Sequence, residues 1–451
     1  MEKIQGFDKA RRLLTRESSW EFFTASDVMA AQIKQVFGKE LSLQEVVDFI
    51  VGEVRDEGDK ALFDYTEKLD GVRLDTLEVS RQEIVEACKA ADKELITALE
   101  VAAERIRGFH LACKHKDIVA HIDKHLGRQV LPLDRAGLYI PGGTAAYPST
   151  VLMMAIPANV AGVKEIIAVS PPGKDGKIPA STLLAANIAQ VDRVFKLGGA
   201  QAIAALAFGT KSIPRVDKIC GPGNIFVTLA KKKVYGMVAI DGLEGPSEIV
   251  IVADEKADPA FCAADLLAQA EHDSLALVVL ITTSAELLEQ VDREIKIQLK
   301  ELRRYPIAKG AIDTGKLVLV NDIDEAIELV NLFAPEHLSL MISNASSFVP
   351  RICNAGCIFV GENSPVAMGD YIAGPSHVLP TGGSARFSSP LGVEDFLKIT
   401  NIIALDKPAM QELGQSATII AKAEGLDAHA RAISLRVVAG EKKQSQPFSD
   451  I

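Results

Sequence analysis

Four residues in the last two-fifths of the chain, Gln269, His272, Asp370 and His429, are of the types a divalent cation selects. A fifth element, Glu336-His337, sets a carboxylate beside an imidazole. Imidazole is a borderline-soft ligand typical of zinc, and a neutral amide oxygen leaves the ion more electrophilic than a second carboxylate would. An imidazole can take a proton near neutral pH, and a neighbouring carboxylate can orient or deprotonate a water. Together the residues describe a metalloenzyme that moves protons. Each taken singly has a bland account. A Gln/His pair three apart is far less specific than an HExxH signature, Glu336-His337 suits an exposed helix end, and a lone histidine on a short helix is ordinarily a packing or surface residue. The set carries the reading, not its members.

The elements around these residues must position them. Asp258 is a good N-cap and Pro259 suits the first helical position, so a helix runs towards Gln269 and His272, whose spacing puts both on one face. A second helix opens with a capping box, Asp322 and Glu325, and carries an apolar stripe at Ile323, Ala326, Ile327 and Val330. Pro335 disfavours helix at Ala334, so Glu336-His337 falls where that helix gives way to an apolar strand over His337 to Ile342. This is the edge at which a chain enters a strand, normally the chemically quieter one. Around Asp370, three glycines and two prolines among residues 369 to 382 enforce a tightly turned backbone on which His377 is a natural partner for a substrate. His429 lies on a short C-terminal helix, with Glu424 just ahead of it.

The whole chain fits this chemistry. Its 451 residues with 48% hydrophobic content can build large cores. Six cysteines in so long a chain make no disulfide framework and suit a reducing cytoplasm. A net charge of -11 argues against nucleic acid, for which a basic patch is the expected footprint. The first dozen residues lack the apolar core of a signal peptide. Residues 138 to 163 carry no charge, but Pro141, Gly142, Gly143, Pro148 and Pro157 interrupt them, so strand, turn and helix account for them better than a membrane span.

Residues 26 to 115 have the charge density and periodicity of helices. From 135 to 241, strands at 135 to 140, 165 to 170, 193 to 197 and 217 to 220 alternate with helices near 149 to 162, 180 to 190, 200 to 208 and 224 to 235. From 249 to 361 the alternation repeats, with strands at 249 to 253, 275 to 282, 316 to 320, 338 to 342 and 357 to 360. Such alternation predicts an α/β fold with two Rossmann-like parallel-sheet domains facing a cleft, plus small N-terminal and C-terminal helical segments. No GxGxxG follows a strand. Pro141-Gly-Gly-Thr144 and Gly221-Pro-Gly-Asn224 each join a strand to a helix, where backbone amides can receive phosphate or simply turn the chain. Cys220 is either an aldehyde-holding thiolate or a small buried hydrophobe, and lacks an obvious base nearby. Cys353 and Cys357 are four apart, without a second pair to make a zinc knuckle.

Nine ordered segments, Gly137 to Thr144, Gly198 to Ala204, Gly221 to Asn224, Gly245 to Glu248, Ala268 to His272, Ala334 to His337, Gly369 to Tyr371, His377 to Thr381 and Ala423 to His429, resemble the histidinol dehydrogenase family over essentially the whole chain. The resemblance implies zinc- and NAD-linked four-electron oxidation of L-histidinol through L-histidinal to L-histidine, the last step of histidine biosynthesis. It implies one zinc per subunit on Gln269, His272, Asp370 and His429, with Glu336 and His337 as the catalytic acid/base pair. It implies substrate contacts at Ser247, His377 and Glu424 besides the ligands and His337, and NAD contacts at Tyr139, Gln201 and Asn224. It further implies a cytoplasmic homodimer in which His429 and Glu424 complete the partner's site. On this basis residues 1–25 form an N-terminal helical arm, 26–122 with 245–388 a first α/β domain carrying most of the metal ligands, 123–244 a second, NAD-binding α/β domain, and 389–451 a tail reaching the partner. Glu244 and Ser376 depart from the family pattern beside the expected substrate pocket. A related enzyme oxidising a different small alcohol is therefore the alternative, and a noncatalytic metal- or nucleotide-binding protein a third reading that the intact Glu336-His337 pair disfavours.

Overall fold

The structure, a computed structural model, describes residues 1–16, 27–114, 119–142 and 146–438. In chain order its strands are β1 (Glu2–Gln5), β2 (Val119–His121), β3 (Leu126–Pro132), β4 (Arg135–Tyr139), β5 (Glu165–Ser170), β6 (Arg193–Lys196) and β7 (Lys218–Cys220). There follow β8 (Ala239–Ile240), β9 (Glu248–Ala253), β10 (Leu277–Thr282), β11 (Lys316–Leu319), β12 (His337–Met341), β13 (Cys357–Val360) and β14 (Leu397–Ile403). The chain divides into two compact units, one of Met1–Lys114 with Leu133–Phe396 and one of His115–Pro132 with Leu397–Ile451.

The first unit contains two parallel sheets. One has the order β1-β11-β10-β9-β12-β13 and the other β6-β5-β4-β7-β8. Every pairing in both is parallel. Parallel strands covered on both faces read as unbroken apolar runs, and β9 is buried at each of its six positions. Successive residues point to opposite faces. Ile249, Ile251 and Ala253 join a core with the helices Pro259–Ala270, Ala285–Gln298 and Tyr305–Thr314, whereas Val250 and Val252 join one with the helices Phe7–Leu14 and Ile323–Phe333. The strands expected from the alternation are all present to within a residue or two. The extra ones, β1, β2, β3, β8 and β14, sit at sheet edges or in the second unit.

Three boundaries differ from the sequence-based expectation. Glu2–Gln5 is not part of a helical arm but an edge strand paired in register with Lys316–Leu319; the rest of that arm, beyond Arg16, lies outside the described residues. The helices Leu43–Glu57 and Asp59–Tyr65 share one core with Ile167, Val169, Phe195 and the helix Gly199–Phe208. They therefore cover the second sheet, not the first, because their apolar stripe (Val46, Val47, Ile50, Val51, Val54) finds its partners there. Lastly, Leu126–Pro132 leaves the expected NAD domain to pair antiparallel with Leu397–Ile403 in the second unit, where the helices Lys407–Ala423 and Asp427–Val438 pack together. Residues 389–396 belong to the first unit, and 439–451 lie outside the described residues.

In the second sheet the chain passes β4, β5 and β6 in one direction and then places β7 on the other side of β4. That reversal is where open α/β sheets hold ligands, beyond the carboxyl ends of the strands. There Gly221, with φ of +121°, presses against β4 so closely that a Cβ would stand 2.2 Å from the Tyr139 carbonyl oxygen. Gly38 also has a positive φ, +70°, but open space around it. Gly221→Ala is therefore expected to lower stability by clearly more than the ~1–3 kcal/mol of a strained backbone alone, and Gly38→Ala by no more than that strain. Urea unfolding of the two variants checks the difference.

Candidate active site

His337 opens β12 and Glu336 immediately precedes it. The helix Ile323–Phe333 ends as Ala334 turns left-handed (φ 52°), and Pro335 forbids its continuation. At the helix start Asp322 caps the Glu325 N–H at 2.9 Å; Glu325 reaches back to the Asn321 N–H, one residue short of a full capping box. Both Glu336 and His337 are buried, so neither is the exposed pair that sequence allows. Their partner is the main chain of Glu248, at the start of the adjacent β9. The Glu248 N–H donates to Glu336 Oε2 at 2.8 Å, and His337 Nδ1 lies 3.0 Å from the Glu248 carbonyl oxygen. Nδ1 must donate there, which leaves Nε2 as the bare nitrogen of the neutral ring. That Nε2 is buried without a hydrogen-bond partner among the described residues and stands 3.7 Å from Asp370 Oδ1. Burial pushes the Glu336 carboxyl well above its ordinary range. Burial alone would lower His337, but Glu336 and Asp370 outweigh it and raise its proton affinity.

Asp370 sits on the short helix Val366–Tyr371. Burial works against its charge, yet His337, His377 and His272 more than compensate and hold the carboxyl below its usual value, so it is an anion. A pocket of about 370 Å³ joins His337, Asp370 and His377 with Ser376, Met368 and Phe359. His377 has both ring nitrogens engaged, Nδ1 with the Asp370 carbonyl at 2.7 Å and Nε2 with Thr150 Oγ1 at 3.1 Å. A substrate contact there requires Thr150 to yield. Ser376 donates its hydroxyl to the Met153 carbonyl, which pins this loop to the helix Pro148–Ala161.

Gln269 is buried in the last turn of the helix Pro259–Ala270, capped by Asp258 with Pro259 at its start. The helix stops at Ala270, so His272 stands in the turn that follows, not on the helix itself; its N–H still bonds the Gln269 carbonyl at 3.2 Å. His272 is open to solvent, and surrounding protein lowers its proton affinity against the pull of Asp370. Gln269 Nε2 is buried without a partner among the described residues. Amide nitrogen and oxygen are assigned, not seen, so the same position offers an oxygen to a cation as readily. A neutral imidazole, an anionic carboxylate and an unsatisfied amide fit a divalent metal. Among the described residues no group of three His, Cys, Asp or Glu side chains stands at metal-binding spacing. The expected ligand set has only His272 and Asp370 of those types in the first unit, because His429 belongs to the second; there His429 and the expected substrate contact Glu424 are both exposed on the helical pair. Ser247 is half-buried, one residue ahead of β9.

The expected cofactor residues lie beyond the carboxyl ends of the second sheet. Tyr139, buried at the end of β4, accepts the Gly199 N–H at 3.1 Å, and Gln201 in the first turn of the helix Gly199–Phe208 keeps a buried Oε1 without a partner among the described residues. Asn224 uses its Oδ1 to cap the helix Ile225–Val234. Gly143 and Thr144 lie outside the described residues. Cys220 is wholly buried and its thiol pushed far up by that burial, so it is no thiolate. Cys353 and Cys357 are free thiols. Glu244, expected beside the substrate pocket, instead turns inward to Lys231 Nζ at 2.6 Å, a site no local pattern signals because its partner is thirteen residues back on a buried helix. Asp70 is a second group that sequence does not announce. Burial lifts its carboxyl to about 6, and its charge is felt by Tyr139.

Because the folded pKa of Asp70 exceeds its unfolded value, the folded state is favoured while the group stays protonated and loses that advantage as pH rises from about 4 through about 6. Asp70→Asn should therefore be more stable than the parent at pH 7.5, on the order of 2 kcal/mol, with the gap closing below pH 4. Thermal unfolding across that range measures it.

The family model described as histidinol dehydrogenase matches residues 35–437. A histidinol dehydrogenase of Dehalococcoides mccartyi strain CBDB1 is 51% identical over 439 residues, covering 97% of this chain and 100% of that protein. One from Clostridium acetobutylicum is 48% identical over 408 residues, covering 90% and 95%. Among solved structures, the histidinol dehydrogenase of Elizabethkingia anophelis superposes with a TM-score of 0.89 at 36% identity, covering 98% of this chain and 99% of that one.

Proposed function

The chain belongs to the histidinol dehydrogenase family, and we propose that it oxidises L-histidinol through L-histidinal to L-histidine in the pocket between β12 and the Asp370 loop. The observation that carries this reading is the buried Nε2 of His337, which has no hydrogen-bond partner among the described residues and whose opposite nitrogen is committed to the Glu248 carbonyl. A base must bring its nitrogen within reach of the proton it takes, and in the neutral ring this Nε2 would carry the lone pair, in a pocket sized for a small molecule.

Gln269, His272 and Asp370 would hold zinc with His429 of a second copy, and Tyr139, Gln201 and Asn224 would hold NAD. When bound, the zinc supplies a Lewis acid that orients the amine and imidazole of the substrate, and the nicotinamide accepts the hydride of each oxidation. His337 takes the hydroxyl proton as hydride leaves the carbon. For the second oxidation the aldehyde must be hydrated; Glu336, buried beside the base with a raised proton affinity, is suited to take a proton from water, and His337 again accepts the proton of the hydrate. No thiolate is needed. Ser247, His377 and Glu424 are the proposed further substrate contacts. The second unit leaves Leu413, Ile419, Ile420, Leu426, Leu435 and Val438 exposed, apolar side chains of the kind dimerisation can cover, which supports a homodimer with shared sites. No helix among the described residues is long and apolar enough to cross a membrane, and the free cysteines suit a cytoplasmic setting.

Purified protein with zinc, NAD and L-histidinol is expected to form two NADH per histidinol and to stop on chelation. No NADH from histidinol, with turnover of other amino alcohols, would establish the paralogue instead. His337→Gln should slow both oxidations by roughly 10²–10⁴, whereas Glu336→Gln should slow chiefly the oxidation of supplied histidinal; equal losses contradict the division of roles. Mixing two inactive variants, His429→Ala and Asp370→Ala, under subunit exchange should restore activity, since a mixed dimer then has one intact site. No recovery despite exchange would mean each site is built within one chain.

A further inference from the structure

Glu248 holds both members of the acid/base pair by its main chain, which raises the question of what holds Glu248. Its side chain is almost wholly buried. Arg16 meets it with a two-pronged contact, Nη1 to Oε1 at 2.5 Å and Nη2 to Oε2 at 2.7 Å. The Gly382 N–H adds a third donor, to Oε1 at 2.9 Å. The guanidinium is fixed in turn, lying 3.8 Å from the centre of the Phe333 ring, with the backbone of Gly383 against its stem. Phe333 ends the helix that delivers Glu336, and Gly382 follows the loop that carries His377. One cation from the N-terminal segment thus touches the approach to both catalytic neighbours, although it touches no reacting atom.

We propose that Arg16 is a positioning residue for the reaction: by forking onto Glu248 it fixes the two peptide groups flanking that residue, whose carbonyl receives His337 Nδ1 and whose N–H donates to Glu336 Oε2. This rests on the acid/base reading of Glu336 and His337 given above. An isolated buried carboxylate is costly, so without the guanidinium the Glu248 side chain would turn towards water and its main chain would move with it. A shift of about 1 Å at a catalytic base is worth on the order of 10² in rate. The effect falls on the chemical step, since Arg16 makes no contact with the expected cofactor residues. Lysine restores the charge but not the planar fork, so it recovers only part of the loss.

The test is steady-state kinetics of the zinc-loaded dimer with Arg16→Ala, Arg16→Lys and, as a control on an exposed ion pair of the same N-terminal segment, Lys3→Met, alongside His337→Gln. Arg16→Ala should lose roughly 10–100-fold in kcat for both histidinol and histidinal, with KM for NAD within about threefold. Arg16→Lys should lie between it and the parent, millimolar guanidinium should partly restore Arg16→Ala, and Lys3→Met should keep the parental kcat. If Arg16→Ala or Arg16→Lys lowers the melting temperature but keeps the parental kcat, the contact is only a structural ion pair and the proposal fails. If His337→Gln is itself active, the acid/base reading fails and this proposal with it; an inactive His337→Gln beside a fully active Arg16→Lys and Arg16→Ala overturns the Arg16 role alone.

Discussion

One residue, Glu248, ties the site together through its main chain, by the N–H of one peptide group and the carbonyl of the next. Its N–H and its carbonyl are the two partners that give Glu336 and His337 their orientation and the histidine its tautomer. Backbone groups at the first residue of a strand are only partly used by the ladder, so the start of β9 has a donor and an acceptor to spare for the neighbouring chain entering β12. The parallel register that sets His337 opposite Ile249 makes this exchange geometrically available. The placement of Glu336 and His337 therefore depends on strand pairing, and its precision is that of a sheet, not of a loop.

The location is unusual for the fold class. Ligands in open α/β sheets gather beyond the carboxyl ends of strands, and the second sheet obeys, with Tyr139 and Gly221 at the ends of β4 and β7. In the first sheet the residues of the proposed site lie at the amino ends: Glu248 and His337 open β9 and β12, and His272 precedes β10. The loop from Asp370 to Gly382 accounts for the combination, because it leaves the first sheet and fastens to the helix after β4 through Thr150 and Met153.

Both edges are stiffened by buried charge. Lys231, fully buried, reaches Asp241 at 2.5 Å, Glu244 at 2.6 Å and the Gly221 carbonyl at 3.0 Å, while Asp241 receives the Gly221 N–H at 2.6 Å. Burial raises the Glu244 carboxyl to about 7, so two carboxylates and one ammonium share a dry site in which the second proton is readily kept. Removing Lys231 would leave two buried carboxyl groups without their cation, which makes the turn at Gly221 a rigid feature of the fold.

Much of this was legible in the chain because it is local. Strand and helix alternation, the caps at Asp258 and Asp322, and the break imposed by Pro335 each follow from a few neighbouring residues, and all appear in the fold. The residue types suited to metal and proton chemistry could be picked out for the same reason, since donor chemistry belongs to the side chain. What tertiary structure alone decided is everything mediated by the main chain or by distant partners. Every residue carries the same N–H and carbonyl, so nothing in the letters marks Glu248 as the group that orients His337. Arg16 and Glu248, Lys231 and Glu244, and the strands Leu126–Pro132 and Leu397–Ile403 meet only after long stretches of chain have packed, and the helices of residues 43 to 65 chose the second sheet because an apolar stripe specifies burial without specifying against what.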